Sequence, residues 1–202
     1  MTQLVIPQNA NNVYEYLWDT ITFTGGAAVT ANTPYSMFST ICDGGVSKYF
    51  WQTNNFSQSK CQYDAMIILA IGFEVFMNTI GGTFPSLSDV NKITKNLSLN
   101  IYKNNTPILQ VPISRIGGGN QITGNVANTN NSTVGIFTSG IAAMDSMYKV
   151  GYHAQGDVVS EGIPFVKDEK LQVAIVAENG FTPSVTCYAK LKFFCDTWTK
   201  IA

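Results

Sequence analysis

The run Cys187-Tyr188-Ala189-Lys190-Leu191-Lys192-Phe193-Phe194-Cys195 decides how the chain is read. Cys187, Ala189, Leu191, Phe193 and Cys195 fall on one face, and Tyr188, Lys190, Lys192 and Phe194 on the other. A period of two with one apolar side describes a strand that buries one face and wets the other. Leu171 to Ala177 repeats the pattern, with Leu171, Val173, Ile175 and Ala177 inward. Between these runs stand Glu178-Asn179-Gly180, a strong turn signal, and Pro183, which keeps the second strand from starting earlier. The two runs form either a hairpin or two strands that turn between sheets.

Working outward, the period stays at two far more often than 3.6. Leu97 to Tyr102 alternates without error, Lys103-Asn104-Asn105-Thr106 supplies a turn, and Ile108 to Ile113 resumes, which predicts a hairpin. Further strands are expected at Val13 to Phe23, Tyr35 to Ile41, Val46 to Trp51, Thr133 to Thr138, Met147 to Tyr152 and Ile163 to Val166. Ala65 to Met77 is apolar on both faces. Its Ile, Phe and Val content and Gly72 favour a long central strand over a buried helix, with Ala65, Ile67, Leu69, Ile71, Phe73, Val75 and Met77 on one side. Its second face then needs cover from elsewhere in the chain or from a neighbouring subunit. Helices are short: Ser88 caps a turn over Asp89 to Lys95, with Val90 and Ile93 on one side, and Gly140 to Met147 offers a second. Gly81 to Ser86 and Gly117 to Ser132 are Gly/Asn-rich loops. Many alternating strands, polar turns and few helices define an all-β sandwich. The order of these pieces suits a jelly roll of about eight to ten antiparallel strands with one or two short helices. The expected division is an N-terminal arm over 1–12 and a single domain over 13–202.

Composition narrows the function. The 202-residue chain is 45% hydrophobic but only 12% charged, about half the usual share of roughly 25%. Asn, Thr, Ser, Gln and Gly replace the missing charge. That excludes a coiled coil or a highly charged disordered chain. A formal net charge of −1 excludes a strong whole-chain electrostatic grip on nucleic acid or anionic membrane. Met1 to Asn12 has no Lys or Arg, so no basic signal-peptide start is present. Synthesis in a cytosol is expected.

Catalytic signatures are sparse. The chain has one His (His153) and one Arg (Arg115). No Cys-x-x-Cys pair and no Gly-x-Ser-x-Gly elbow exist, Gly117-Gly118-Gly119-Asn120 lacks the Lys-Ser/Thr of a phosphate loop, and Asp43-Gly44-Gly45 lacks spaced carboxylates for calcium. No enzyme activity, metal or cofactor is expected. Cys42, Cys61, Cys187 and Cys195 read as reduced thiols. Cys187 and Cys195, on one strand, would stand roughly 26 Å apart.

The aromatics are more informative. Tyr14, Tyr16 and Trp18 share one face of the first strand, opposite Val13, Leu17, Ile21 and Phe23, and Tyr49, Phe50 and Trp51 are consecutive. Such rings suit a subunit interface, a plain core or a sugar-binding platform. A surface low in charge is easily desolvated and poorly protected from association, which favours a chain meant for an assembly.

The organisation resembles the single jelly-roll capsid proteins of tailless icosahedral viruses and bacteriophages. The features that carry the resemblance are the charge-poor Asn/Thr/Gly surface, the doubly apolar Ala65–Met77 strand, the stretch Lys95 to Ile108 and the terminal strand pair Leu171 to Phe194. It covers most of the chain as architecture, without a diagnostic motif. It implies a virion subunit that assembles with itself and with other capsid proteins, with a receptor or an internal membrane as further partners. Many viral coat proteins begin with a basic arm, but Met1 to Asp19 holds no basic residue, so this arm is not expected to bind genome. It is expected instead to lie on a neighbour through Leu4, Val5 and Ile6, with Tyr14, Tyr16 and Trp18 as the other candidate interface residues. The alternatives are a trimeric receptor- or ligand-binding module, such as a viral spike or fibre head or a TNF-like domain, and an enzyme or lectin on the same scaffold.

Overall fold

A computed structural model describes residues 6–39, 42–43, 46–48, 52–54, 61–76, 87–116, 148–149, 151–153 and 159–201. Eight strands make two four-stranded antiparallel sheets. They are β1 (Ala10–Phe23), β2 (Thr33–Met37), β5 (Ala65–Phe76), β6 (Leu97–Lys103), β7 (Thr106–Pro112), β11 (Ile163–Val166), β12 (Leu171–Ala177) and β13 (Cys187–Lys200). Further short strands among the described residues are β3 (Cys42–Asp43), β4 (Val46–Ser47), β8 (Tyr148–Lys149), β9 (Gly151–His153) and β10 (Val159–Glu161). The first sheet runs β1-β13-β5-β11, with β8 also pairing to β5, and the second runs β2-β12-β6-β7. Counting the eight in chain order, the sheets read first-eighth-third-sixth and second-seventh-fourth-fifth. Every step along the chain crosses between sheets except the β6–β7 hairpin. This interleaving is the jelly roll.

Local chemistry explains the elements. Asn104 and Asn105 join β6 to β7 with φ of 50° and 66°, the left-handed pair that a two-residue hairpin turn requires and that Asn tolerates. Gly162, at φ 95°, enters β11, where an added Cβ would lie 2.5 Å from Ile67 Cγ2 and 2.7 Å from the Ile68 carbonyl oxygen, so only glycine fits. Leu171–Ala177 and Cys187–Lys200 do not pair with each other. They turn between sheets, and Phe181 in the connection bridges to Val29. β1 begins at Ala10, ahead of the expected Val13, because Ala10 to Asn12 already pair with Lys200 to Trp198.

The core lies between the sheets. Phe23, Phe73, Phe165, Phe193 and Met37 are its largest fully buried side chains, and Phe38 stacks on Phe193 at 4.7 Å. The inward faces read from the sequence in β12 and β13 hold: Val173, Ile175 and Ala177, and Cys187, Ala189, Leu191, Phe193 and Cys195, are buried. In β5 the expected unbroken alternation fails. Phe194 pairs with Ala70 and Cys195 with Ile68, which leaves Leu69 as an extra, bulged residue. The buried face therefore changes parity, from Met66 and Ile68 to Ile71, Phe73 and Val75.

The first helix, α1 (Leu87–Asn96), buries Ile93 as expected, but Ser88 lies inside it rather than at its cap. Asp89 is buried rather than merely facing the helix dipole. It accepts the Ser184 N–H at 2.9 Å and the Ser184 hydroxyl, tying α1 to the chain that enters β13. A second helix, α2 (Ile113–Ile116), follows β7, where the sequence predicted the end of a strand. The expected strand over Thr133–Thr138, the expected helix over Gly140–Met147, the loops Gly81–Ser86 and Gly117–Ser132, and Tyr49, Phe50 and Trp51 lie outside the described residues. No described helix is long and apolar enough to cross a membrane.

Candidate functional site

The residues singled out in β1 lie on the outer face of the first sheet. Strand parity puts Leu17, Ile21 and Phe23 toward the second sheet and Tyr14, Tyr16 and Trp18 away from it. The antiparallel register sets Tyr14 opposite Asp196, Tyr16 opposite Phe194 and Trp18 opposite Lys192. Tyr16 packs on Trp18 at 5.2 Å and on Phe194 at 5.1 Å between ring centroids, in tilted geometries that suit ring quadrupoles. Lys192 Nζ lies 6.0 Å from the Tyr16 ring and Lys190 Nζ 6.0 Å from the Trp18 ring. Cation–π contacts at that range contribute roughly 0.5–1 kcal/mol at exposed sites.

These lysines are held from the next strand. Lys190 lies opposite Glu74 and Lys192 opposite Gly72 in the β13–β5 ladder, and Lys192 Nζ reaches Glu74 Oε2 at 2.5 Å. The Lys192 side chain is only 4% exposed, so its charge needs that carboxylate. Burial lowers the Lys190 ammonium below its ordinary value, Glu74 opposes that shift and Lys192 adds to it. Burial, with Glu74 nearby, pushes the Tyr16 phenol up to about 12. The patch is thus an aromatic stripe seated on lysine stems, with the acid and one base already neutralising each other.

The three rings do not stand out equally. Tyr14 is 53% exposed, Tyr16 and Trp18 are half-buried, and Thr20, next on the same face, is buried. The stripe is open at the start of β1 and closed toward its middle. Asn54 contributes to the closed part from beside the strand. The Trp18 N–H donates to Asn54 Oδ1 at 2.7 Å, and Asn54 donates from its backbone to the Trp18 carbonyl and from Nδ2 to the Tyr16 carbonyl. Ile6 is 49% exposed, while Leu4 and Val5 lie outside the described residues.

Sequence reasoning placed Lys190, Lys192 and Phe194 on one face but did not align them with Tyr16 and Trp18, since register is a long-range property. It also missed Asp19. Alternation alone puts Asp19 between Leu17 and Ile21 on the inward side, and there it is fully buried and paired with Lys48 at 2.7 Å.

On the outer face of the second sheet, an open concavity of about 330 Å³ is lined by Ser36, Ser39, Tyr102, Asn105 and Gln172 among others, without a charged side chain. Among the described residues no three His, Cys, Asp or Glu side chains gather as metal ligands. The described carboxylates of Asp64 and Glu169 are paired with Lys167 and Lys103. Cys61, Cys187 and Cys195 are free and buried, and burial pushes the thiols of Cys61 and Cys187 up to about 11. They are poor nucleophiles in that state.

Strand order and outer-face chemistry define the class: a jelly-roll β-sandwich with a charge-poor surface and an aromatic stripe on one sheet. No protein-family model and no curated protein matches the chain. Among solved structures, a chain of the cyanophage Pam1 capsid asymmetric unit is similar at a TM-score of 0.26 and 15% identity, over 96% of this chain and 93% of that one. The fold rests on the strand order, not on this likeness.

Proposed function

We propose that the chain is a structural subunit of a virion shell, one that assembles with copies of itself and with other capsid proteins and performs no catalysis. The observation that supports this reading best is the aromatic stripe, which runs from exposed Tyr14 into half-buried Tyr16 and Trp18 on a sheet face where Lys192 is already paired with Glu74. Apolar rings on an outer sheet face gain by being covered, and the Lys192–Glu74 pair beneath them leaves less charge to desolvate than two separate ions would. In this reading the N-terminal segment anchors on a neighbour through Leu4, Val5 and Ile6. Residues 1–19, which carry no Lys or Arg, do not hold packaged genome in this reading.

The uncharged concavity around Tyr102 and Gln172 supports a second reading, a trimeric ligand-binding module. Sizing with negative-stain microscopy separates the two. Shells or flat lattices are expected from the parent chain, and a Tyr16→Ser/Trp18→Ser variant should fold yet assemble poorly. Discrete trimers would favour the module, and a parent chain that stays monomeric at high concentration would defeat both.

A further inference from the structure

Among the described residues, nothing pairs with the outer edge of β1 at its start. β1 and β11 bound the first sheet, and β2 and β7 bound the second. Three of these edge strands carry proline: Pro34 in β2, Pro107 and Pro112 in β7, and Pro164 in β11. Proline denies an edge its N–H donor and blocks further pairing. β1 has no proline, and Glu15 is the first charged residue of the chain.

The geometry shows which groups are open. Trp18 gives its N–H and carbonyl to Asn54, so it points away from β13, and the alternation of an antiparallel ladder turns Tyr14, Asn12 and Ala10 the same way. The Val13 carbonyl confirms the phase, since it accepts the Thr197 hydroxyl from the β13 side at 3.0 Å. Asn54 covers the edge at Tyr16 and Trp18. Asn11, Asn12, Val13 and Tyr14 are exposed, and among the described residues nothing pairs with their outer edge. Of the exposed large hydrophobics of the described chain, Val13, Tyr14 and Ile201 lie at this end, and Ile6 precedes it in sequence. The Ile201 N–H bonds the Asn9 carbonyl, which holds Ile201 beside the start of β1.

We infer that the outer edge of Ala10–Tyr14 pairs with the same segment of a second copy of this chain, antiparallel about a two-fold axis at Asn12, joining two four-stranded sheets into one. A row of outward backbone donors and acceptors that no described residue pairs with is best satisfied by another strand. The segment is self-complementary. In this register Tyr14 of one copy faces Ala10 of the other, Val13 faces Asn11, and Asn12 meets Asn12, so large meets small and no charges collide. A two-fold axis brings only Asn12 to its own image, and a neutral residue there avoids like-charge repulsion. The inference deepens the assembly reading by naming one contact within it.

Asn12→Pro tests it. The lost N–H points away from β13, so the sheet stays intact while the new pairing loses a central donor. Asn12→Lys is the second variant, because it places two ammonium groups at the axis. Sedimentation velocity should show reversible dimers or larger species for the parent, and association at least tenfold weaker for either variant, with unchanged circular dichroism. The Lys variant should recover association at 1 M salt, where screening acts within about 3 Å. A parent chain with no species beyond monomer, or folded variants that associate within twofold of the parent, would overturn the inference. Parallel microscopy separates its failure from that of the shell reading. Dimers without shells leave the edge pairing standing and remove the shell, whereas shells formed equally well by both variants do the reverse.

Discussion

Lys48 donates to Asp19 at 2.7 Å inside the sandwich, with the two side chains 5% and 1% exposed. Asp19 Oδ2 also accepts the Phe38 N–H at 2.7 Å, and its Oδ1 accepts the Thr20 N–H at 2.9 Å. One carboxylate thus holds β1, the end of β2 and the segment after β4 together at a place where the core would otherwise be apolar.

Breaking this pair from one side should be costly, because the remaining charge is left in a poorly solvating interior. Lys48→Met is expected to lower unfolding free energy by about 3 kcal/mol. The double variant Asp19→Asn/Lys48→Met should lose less than the sum of the single changes. Urea denaturation of the four chains measures the coupling. Additive losses would show that the two charges do not depend on each other.

Leu69 offers a test of the β5 bulge. Ile68 pairs with Cys195 and Ala70 with Phe194, so deleting Leu69 makes the ladder regular while every other side chain keeps its face. The deletion variant is expected to fold, losing no more than about 2 kcal/mol, a typical cost for a single change. Inserting one alanine after Phe73 should instead turn Val75 outward and abolish cooperative melting. If thermal unfolding ranks the two variants the other way, the bulge assignment fails.

Alkaline pH should weaken the fold. Burial pushes Cys61 and Cys187 from an ordinary 9.0 to about 11, and Tyr16 from 10.0 to about 12. Above pH 9 the unfolded chain therefore sheds protons that the folded chain retains. The unfolded state then binds fewer protons, and stability falls as pH rises. Urea midpoints are expected to show no contribution from these groups below about pH 8 and a decline from pH 9 to 11 that is smaller in a Cys61→Ala/Cys187→Ala variant. The same decline in parent and variant would assign the effect to other groups.

Much of the fold was legible because strand formation leaves a local mark. Alternation placed β6, β11, β12 and β13, and the pair Asn104-Asn105 placed the hairpin turn, since side-chain direction and left-handed backbone preference are properties of a few adjacent residues. The bulge at Leu69 was not legible. Ala65 to Phe76 is apolar on both faces, so a change of parity leaves no trace in the pattern. The tilt of the candidate site was equally hidden. Sequence put Tyr14, Tyr16 and Trp18 on one face, but only the pairing of β1 with β13 and β13 with β5 brought Phe194, Lys190, Lys192 and Glu74 beneath them. Asn54 then closed one part of the strand edge, and no described residue pairs with the outer edge of Ala10–Tyr14. The sequence by itself determined which residues form strands and which side chains share a face. Strand neighbours, burial along each face and the open edge were decided by tertiary structure, because they depend on contacts between residues tens to nearly two hundred positions apart, as with Asn54 and Trp18 or Val13 and Thr197.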